Sequence, residues 1–173
     1  MVFGNEVQEH LQKHVVYPAN KKEIIEACNL MSDVPKEDRE AFERNLPDWD
    51  YKNADEIMRT VQVVEHLGHV NYPVKKVELD KACDNMTDVS KPYREWFKRS
   101  LPARSYSSRD EVLGGLKGIT HIREHVTYPT TKTVIVETCN KMTDVPEINR
   151  AWFAKLPDKN YYNSDDVIKA LRL

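Results

Sequence analysis

The chain contains one residue pattern three times, and this repetition constrains its fold more than any other feature. The sequence His-Val-x-Tyr-Pro begins at His14, His69 and His125. Each copy then has a Cys eleven residues after the Tyr, a Met three residues further on, and Asp-Val soon afterwards. An Arg, a Phe, a Leu-Pro pair and a second Tyr complete each copy in the same order. Copies at a nearly constant period predict a tandem-repeat architecture.

We place the three repeats at 1–64, 65–119 and 120–173. A unit of about 55 residues buries little apolar surface by itself, so neighbouring repeats are expected to pack on one another. The chain has 40% hydrophobic and 31% charged residues. This balance is typical of globular rather than disordered proteins.

No segment has the pattern of a membrane span or of a secretory signal. No apolar stretch approaches the 18 or so residues that a span needs, and the start of the chain lacks a basic region followed by an apolar run. The three cysteines, one in each repeat, are a poor disulfide framework because their number is odd. We therefore expect a cytoplasmic protein with reduced thiols and no membrane partner.

Each repeat predicts three helices, so the expected fold class is all-α. In the first helix, Ile24, Cys28 and Met31 have the spacing of one helical face, and the other repeats have equivalent residues. The second helix is expected to begin at Ser/Thr-Asp-Val, where a polar side chain can act as the N-cap, and to end at Leu-Pro. Strand signals are absent, so no strands are predicted.

The third helix of each repeat begins with the clearest capping signal in the chain. A polar residue is followed three positions later by an acid at Asn53–Glu56, Ser108–Glu111 and Asn163–Asp166. The first side chain can accept hydrogen bonds from the first-turn amides, and the acid can reach back to the N–H of the cap residue itself.

No turn signal separates this third helix from the histidines of the next repeat. The helix is therefore expected to continue through Glu65 and His66 in the first repeat, and through His121 in the second. Three glycines in the second of these helices each lower helix stability by roughly 1 kcal/mol relative to Ala. They are Gly114, Gly115 and Gly118, and they predict a bend or break between the second and third repeats.

The histidines form three pairs and are the candidate metal ligands. They are His10, His14, His66, His69, His121 and His125. Spacings of four, three and four residues place each pair on one helical face, where two imidazoles can share a metal. The Cys of the same repeat is the candidate third ligand, but it lies on the apolar face, where a free Cys behaves as a small hydrophobe. We therefore favour structural roles for these residues, and we expect no metal and no other cofactor.

No catalytic site is predicted. A nucleophilic Cys needs an exposed thiolate of low pKa beside a base, and three equivalent active sites in one small chain would be unusual. The recurring tyrosines can stack on nucleic-acid bases, but packing against a chain break is the more common role of such rings.

A basic stretch in the second repeat is the candidate partner-binding surface. Its residues are Lys91, Arg94, Lys98, Arg99, Arg104 and Arg109. Residues 1–64 carry 8 basic and 13 acidic side chains, whereas residues 65–119 carry 10 and 8 and residues 120–173 carry 8 and 7. A nucleic-acid-binding protein normally has a clear basic excess, so nucleic acid is an open but not a favoured partner. The recurring Arg can pair with the Asp of its own repeat, for example Arg39 with Asp33, as readily as it can bind a phosphate.

One recurring cation has an unfavourable position. Lys21, Lys76 and Lys132 all fall in the first turn of the first helix of their repeats, where the helix dipole disfavours positive charge. A solvated Lys explains this simply, but the recurrence is a mild indication of function.

The third repeat carries the most complete set of landmarks. They are His125, Tyr128, Pro129, Lys132, Leu156, Pro157, Tyr161, Asp165, Val167 and Leu171. This pattern resembles a family of short prokaryotic helical domains of unknown function that have Tyr-Pro and Leu-Pro-x-x-x-Tyr landmarks, here present as three tandem copies. The resemblance implies a compact helical fold and no particular activity. The segment with Cys and Met-x-Asp-Val is not part of it.

These observations favour a non-enzymatic helical-repeat protein that binds another macromolecule, with a protein as the expected partner. A nucleic-acid-binding array resembling helix-turn-helix proteins is the alternative. Metal binding through the His pairs and Cys is a second alternative.

Overall fold

The structure is a computed structural model that describes residues 5–32 and 34–171. Its helices within these ranges are α1 Asn5–His14, α2 Lys21–Asn29, α3 Lys36–Asn45, α4 Ala54–Leu67, α5 Lys76–Asp84, α6 Lys91–Ser100, α7 Arg109–His125, α8 Lys132–Asn140, α9 Glu147–Ala154 and α10 Ser164–Ala170. The fold is mostly helical, as predicted. No helix in the described part of the chain is long and apolar enough to cross a bilayer.

The prediction that strands are absent is wrong. The described residues include six strands of two residues each: β1 Ala19–Asn20, β2 Asp50–Tyr51, β3 Val74–Lys75, β4 Ser105–Tyr106, β5 Thr130–Thr131 and β6 Asn160–Tyr161. They form three antiparallel pairs, β1 with β2, β3 with β4, and β5 with β6. Two residues are too few to give an alternating pattern, so the sequence carries no strand signal.

A buried Tyr lies in the second strand of each pair. Tyr51, Tyr106 and Tyr161 are fully buried, which confirms the prediction that these rings pack in the core. Their hydroxyls donate to the carbonyls of Pro47, Pro102 and Pro157 at 3.0, 2.8 and 2.8 Å. Each Tyr therefore joins a Leu-Pro turn to a strand pair, and its polar atom is satisfied inside the protein.

The chain divides into two compact units. The first comprises the residues up to His69 together with Asp88–Tyr93, and the second comprises Val70–Thr87 together with the residues from Arg94 onward. The repeat boundaries that we placed after residues 64 and 119 fall inside α4 and α7. Both helices extend into the His-rich segment that follows them, which confirms the predicted continuation.

The first unit has a continuous apolar core. Its most buried members are Leu11, Ile24, Phe42, Leu46, Ile57 and Val61, none of them more than 2% exposed. These residues come from α1, α2, α3, α4 and the turn after α3. Tyr17 packs against this core and donates from its hydroxyl to the carbonyl of Leu11 at 3.2 Å. A cis peptide bond joins Tyr17 to Pro18. Equivalent cis bonds join Tyr72 to Pro73 and Tyr128 to Pro129.

The second unit is organised around α7, which is a single helix from Arg109 to His125. The predicted bend at its glycines is therefore wrong. All three glycines are buried, and they face α9, where added Cβ atoms would meet Asn149, Trp152 and Phe153. Gly residues here allow two helices to approach closely, and the packing gained offsets the lower intrinsic helix stability.

The capping signals were only partly correct. Asn53, Ser108 and Asn163 accept from the amide of the residue three positions later, as predicted. Glu56, however, accepts from the amide of Lys52, one residue before the cap, at 2.9 Å. Glu111 and Asp166 likewise accept from the amides of Ser107 and Tyr162, at 2.7 and 3.1 Å.

The predicted side-chain caps at the second helices do not form in two repeats. Pro35 and Pro146 occupy the N-cap positions of α3 and α9, with no side-chain cap hydrogen bond. A proline's fixed φ suits the start of a helix without such a bond. The candidate cap residue Asp33 lies outside the described residues.

Candidate functional site

The three recurring cysteines are buried, and no disulfide joins them. Burial raises the pKa of Cys28 and Cys139 to about 12 and that of Cys83 to about 11. The Cys83 thiol faces the carbonyl of Arg94, with the sulfur 3.8 Å from the oxygen. A thiol of this kind stays protonated at neutral pH, so it serves as a core residue and lacks the properties of a nucleophile or ready metal ligand.

The recurring Arg caps the end of the preceding helix segment. Arg39 donates to the carbonyl of Met31 at 2.6 Å, and Arg94 donates to that of Met86 at 2.7 Å. Arg150 donates to the carbonyl of Asn140 at 3.4 Å. The guanidinium therefore satisfies carbonyls that a helix C-terminus leaves without partners. The alternative pairing with Asp of the same repeat does not occur for Arg150, and Asp33 lies outside the described residues.

The Asp of the recurring Asp-Val sequence instead lies beside the first histidine of a His pair. In the first unit, His66 Nε2 lies 3.1 Å from the Asp88 carboxylate. In the second unit, His121 Nε2 and Lys117 Nζ lie 2.9 and 3.1 Å from the Asp144 carboxylate. Burial alone would raise the pKa of Asp144. The hydrogen bonds and positive charges of His121 and Lys117 outweigh this effect and hold the pKa below its ordinary value of 3.8.

The histidine pairs share helical faces, as their spacing predicted, in α1 and α7. The ring centroids of His10 and His14 are 5.4 Å apart, and those of His121 and His125 are 5.2 Å apart. His14 and His125 are the last residues of their helices, whereas His69 lies beyond the end of α4. Among the described residues, no group of three or more His, Cys, Asp and Glu side chains is arranged to hold a metal ion.

Four of the six predicted basic residues lie on α6, whereas Arg104 follows that helix and Arg109 begins α7. Lys91 is exposed and belongs to the first unit, whereas the other five belong to the second. Lys98 pairs with Asp84 and Glu95, and Arg99 donates to the carbonyl of Glu95. Arg109 is half-buried and has interactions within the protein. Arg94 and Lys98 in particular are engaged by neighbours inside the chain, which leaves little free charge for phosphates.

Two grooves that are lined by the recurring Lys are candidates for a binding site. The α2 groove, in the first unit, has a volume of about 440 Å³ and is lined by Lys21, Lys22, Ile25, Glu26, Glu43 and Asp48. The α5 groove, in the second unit, has a volume of about 400 Å³ and is lined by Lys75, Lys76, Val77, Asp80, Ala103, Arg104 and Ser105. Both volumes are within the range of roughly 300–1,000 Å³ that is typical of ligand sites.

The two grooves occupy equivalent positions in the first and second repeats. Lys21 and Lys76 each follow the Tyr of Tyr-Pro by four residues, and Asp48 and Ala103 each follow the Leu of Leu-Pro by two. The strand pairs bring these two sequence segments together, because Asn20 pairs with Asp50 and Lys75 pairs with Ser105. Sequence analysis indicated the recurring Lys but missed the opposite wall of the groove.

The linings of the two grooves differ in charge. The α2 groove has two lysines and three acids among its lining residues, whereas the α5 groove has three basic residues and one acid. In the α5 groove, Lys76 Nζ lies 2.6 Å from both carboxylate oxygens of Asp80. One framework thus presents two different electrostatic surfaces.

Arg104 forms part of the wall of the α5 groove. Its guanidinium carbon lies 3.9 Å from the centroid of the Trp152 ring, a cation–π arrangement. Its Nη2 lies 3.6 Å from Glu111 Oε1, which is longer than a hydrogen bond. Glu111 Oε2 is already engaged by the amide and hydroxyl of Ser107, at 2.7 and 2.6 Å. Trp152 and Glu111 therefore hold the guanidinium in place without neutralising it fully.

No family model, curated protein or solved structure matches the chain in comparisons of all three kinds. Inferences about function therefore depend on the geometry of the described residues.

Proposed function

We propose that the chain is a non-enzymatic protein of three tandem helical repeats that binds other proteins through grooves of the α2 and α5 type. In this proposal the repeats belong with the short prokaryotic helical domains that they resemble, and the protein acts in the cytoplasm. One observation carries the proposal: equivalent grooves in two repeats share a framework lysine but differ in the charge of their walls. A scaffold with several contact faces has this property.

The placement of the recurring polar residues supports the same proposal. Cys, Arg and the buried Tyr make contacts inside the protein in each repeat, so their recurrence is explained by the framework. Residues that vary between repeats, such as Lys22 and Val77 at equivalent positions, are exposed at the grooves. Recurrence within the core together with variation at the grooves favours different ligands for different repeats over one repeated chemical reaction.

The proposal can be tested by capturing partners on the immobilised full chain from an extract of its source cells, treated with nuclease, and identifying them by mass spectrometry. A Glu43→Lys/Asp48→Lys variant reverses the charge of the α2 groove wall. A Glu9→Lys/Glu40→Lys variant makes the same change in charge at exposed positions of the same unit that do not line the α2 groove. We expect the wild type and the control to retain a protein that the α2-groove variant loses. Loss of the captured protein in both variants, its retention by both, or capture of nucleic acid alone from a matching extract without nuclease would overturn the proposal.

Elemental analysis of the untagged protein tests the metal alternative directly. About three transition-metal ions per chain, one for each His pair, would assign the histidines to a metal site and contradict the scaffold proposal. Protein free of bound metal would agree with the pairing of His66 and His121 with carboxylates.

A further inference from the structure

We infer that the α5 groove binds an acidic segment of a partner protein, with one of its carboxylates placed between Arg104 and Lys75. This inference depends on the proposed function, since it names the chemistry that one groove recognises. It is argued from the charge of the groove, from the unused donors of Arg104 and from the start of α5.

The first step is the positive charge of the groove. Lys75, Lys76 and Arg104 face a single acid, Asp80. Both oxygens of that acid are held by Lys76, so Asp80 does not neutralise the other two cations. Lys75 is exposed. The groove therefore offers one exposed ammonium group and one guanidinium to a negatively charged ligand.

The second step is the state of Arg104. Its side chain is 15% exposed. Its Nε and Nη1 are buried and have no hydrogen-bond partner among the described residues, so Nη2 is the nitrogen that a ligand in the groove can reach. A guanidinium removed from water without acceptors is unfavourable, because unpaired donors lose the energy of hydration. A hydrogen bond from an Arg nitrogen to a carboxylate is strong because both groups are charged. A ligand carboxylate would supply the acceptor that Glu111, at 3.6 Å, does not supply at hydrogen-bond distance.

The third step is the start of α5, where no side chain caps the amide of Glu78. In α2, the Asn20 side chain accepts from the amide of Glu23 at 3.1 Å. Lys75 occupies the equivalent position before α5, and no side-chain cap hydrogen bond forms there. The Glu78 carboxylate accepts from the Lys75 amide at 2.9 Å and offsets part of the α5 dipole, and the remaining positive end adds to the cations that line the groove.

Apolar atoms beside these cations favour a peptide over a phosphate-rich ligand. Val77 is 55% exposed, and Ala103 is exposed at the same groove. The hydrocarbon stem of a Glu side chain can pack on such atoms while its carboxylate reaches the cations.

Binding of a fluorescein-labelled oligoglutamate peptide to the full chain, followed by fluorescence anisotropy, tests this inference. We expect binding that Lys75→Gln weakens about tenfold, the effect of losing one charge-assisted hydrogen bond. Lys75 is exposed, so this variant is expected to fold even if Arg104→Gln, which removes the Trp152 contact, does not. Lys22→Gln removes the same charge from the α2 groove and should leave the affinity unchanged.

Several results would overturn the inference. The wild type would fail to bind the peptide, or Lys75→Gln and Lys22→Gln would weaken binding equally. Inorganic phosphate would compete as strongly as unlabelled peptide. A single-stranded oligonucleotide would bind more tightly than the peptide, and Lys75→Gln would weaken that binding too. Failure of this inference can be distinguished from failure of the proposed function. If the chain captures a protein through the α2 groove but does not bind the acidic peptide, only the inference about the α5 groove is wrong.

Discussion

At the scale of single residues, burial determines the chemistry of the three cysteines. Their sulfur atoms lie in the core, next to apolar side chains. Ionisation there would place a charge in a medium of low polarity, which is why the pKa of each thiol is raised to about 11 or 12. The recurrence of a Cys in each of the three sequence copies therefore does not imply three reactive sites.

Thiol labelling with iodoacetamide should be slow in the native protein. At mildly alkaline pH the thiolate fraction of Cys28, Cys83 and Cys139 stays small because their pKa values are raised. Labelling should become rapid and complete in denaturant, and mass spectrometry measures both rates. Fast modification of native protein would mean that at least one thiol is accessible and activated.

Replacement of Cys83 by Ser should destabilise the protein by about 1–3 kcal/mol, because it buries a more strongly hydrated group at a site of 0% exposure. Cys83→Ala removes the sulfur without adding a hydroxyl and therefore separates the polar penalty from the loss of packing. Urea denaturation gives both free energies. An unchanged free energy of unfolding for Cys83→Ser would show that the position is accessible to water.

The lowered pKa of Asp144 predicts a dependence of stability on acid. Because its pKa in the folded protein lies below the ordinary 3.8, its contribution is complete above that value and is lost as the pH falls toward and through the folded pKa. Asp144→Asn should therefore show a smaller loss of stability on acidification than the wild type. Asp158→Asn, at an exposed position, is the control. Parallel stability curves for wild type and Asp144→Asn would contradict the prediction.

At the scale of elements, α7 shows how packing overrides intrinsic preference. Gly114 and Gly115 face Asn149 and Trp152 of α9. Asn149 is fully buried, and its amide nitrogen donates to the carbonyl of Glu111 at 2.9 Å. The side chain that fills the space left by the glycines is therefore also hydrogen-bonded to the backbone of α7.

Gly114→Ala should lower stability, although Ala is intrinsically better in a helix by roughly 1 kcal/mol. The added Cβ would overlap Asn149 Oδ1 and lie 2.6 Å from its Cγ, and overpacking of this kind typically costs about 1–3 kcal/mol. Gly68→Ala is the matched control, since Gly68 is exposed and has φ −67°. Its effect should be within about 0.5 kcal/mol. A thermal melt compares them, and a stabilised Gly114→Ala variant would be inconsistent with this packing.

Sequence periodicity predicted the helices and their continuation into the His-rich segments, because those features depend on neighbours along the chain. It did not predict the glycine contacts, the strand pairs or the acceptors of the recurring Arg, because these depend on segments far apart in the sequence. Arg94, for example, caps the carbonyl of Met86, whereas Asp144 pairs with His121 of α7. Charge complementarity alone left an Arg–Asp pair and an Arg–phosphate contact as equal alternatives.

The candidate site was only half predictable for the same reason. Lys76 was noticed because its position at a helix start is electrostatically unfavourable. Arg104 was assigned to a general basic surface, and its place beside Trp152 and the α5 groove depends on contacts that the sequence does not show. Arg104 lies directly before the two-residue strand β4, and neighbouring residues in the sequence give no indication of its contact with Trp152.

At the scale of the whole molecule, the uneven charge predicts a modest effect of salt on partner binding. The first 64 residues have a net charge of −5, whereas residues 65–119 have +2. Added salt screens exposed charges, so affinity for a captured protein partner should fall by less than about tenfold between low and moderate salt. A nucleic-acid-binding protein with several phosphate contacts would lose roughly 10³–10⁵-fold over such a range. Binding isotherms at several salt concentrations distinguish the two.

The uninterrupted course of α7 limits how this chain can change in length during evolution. Its first half follows β4 and its second half leads to β5. One inserted or deleted residue would rotate everything beyond it by about 100° about the helix axis and move the glycines away from α9. Natural variants should therefore gain or lose residues in the turns and conserve the length of this helix.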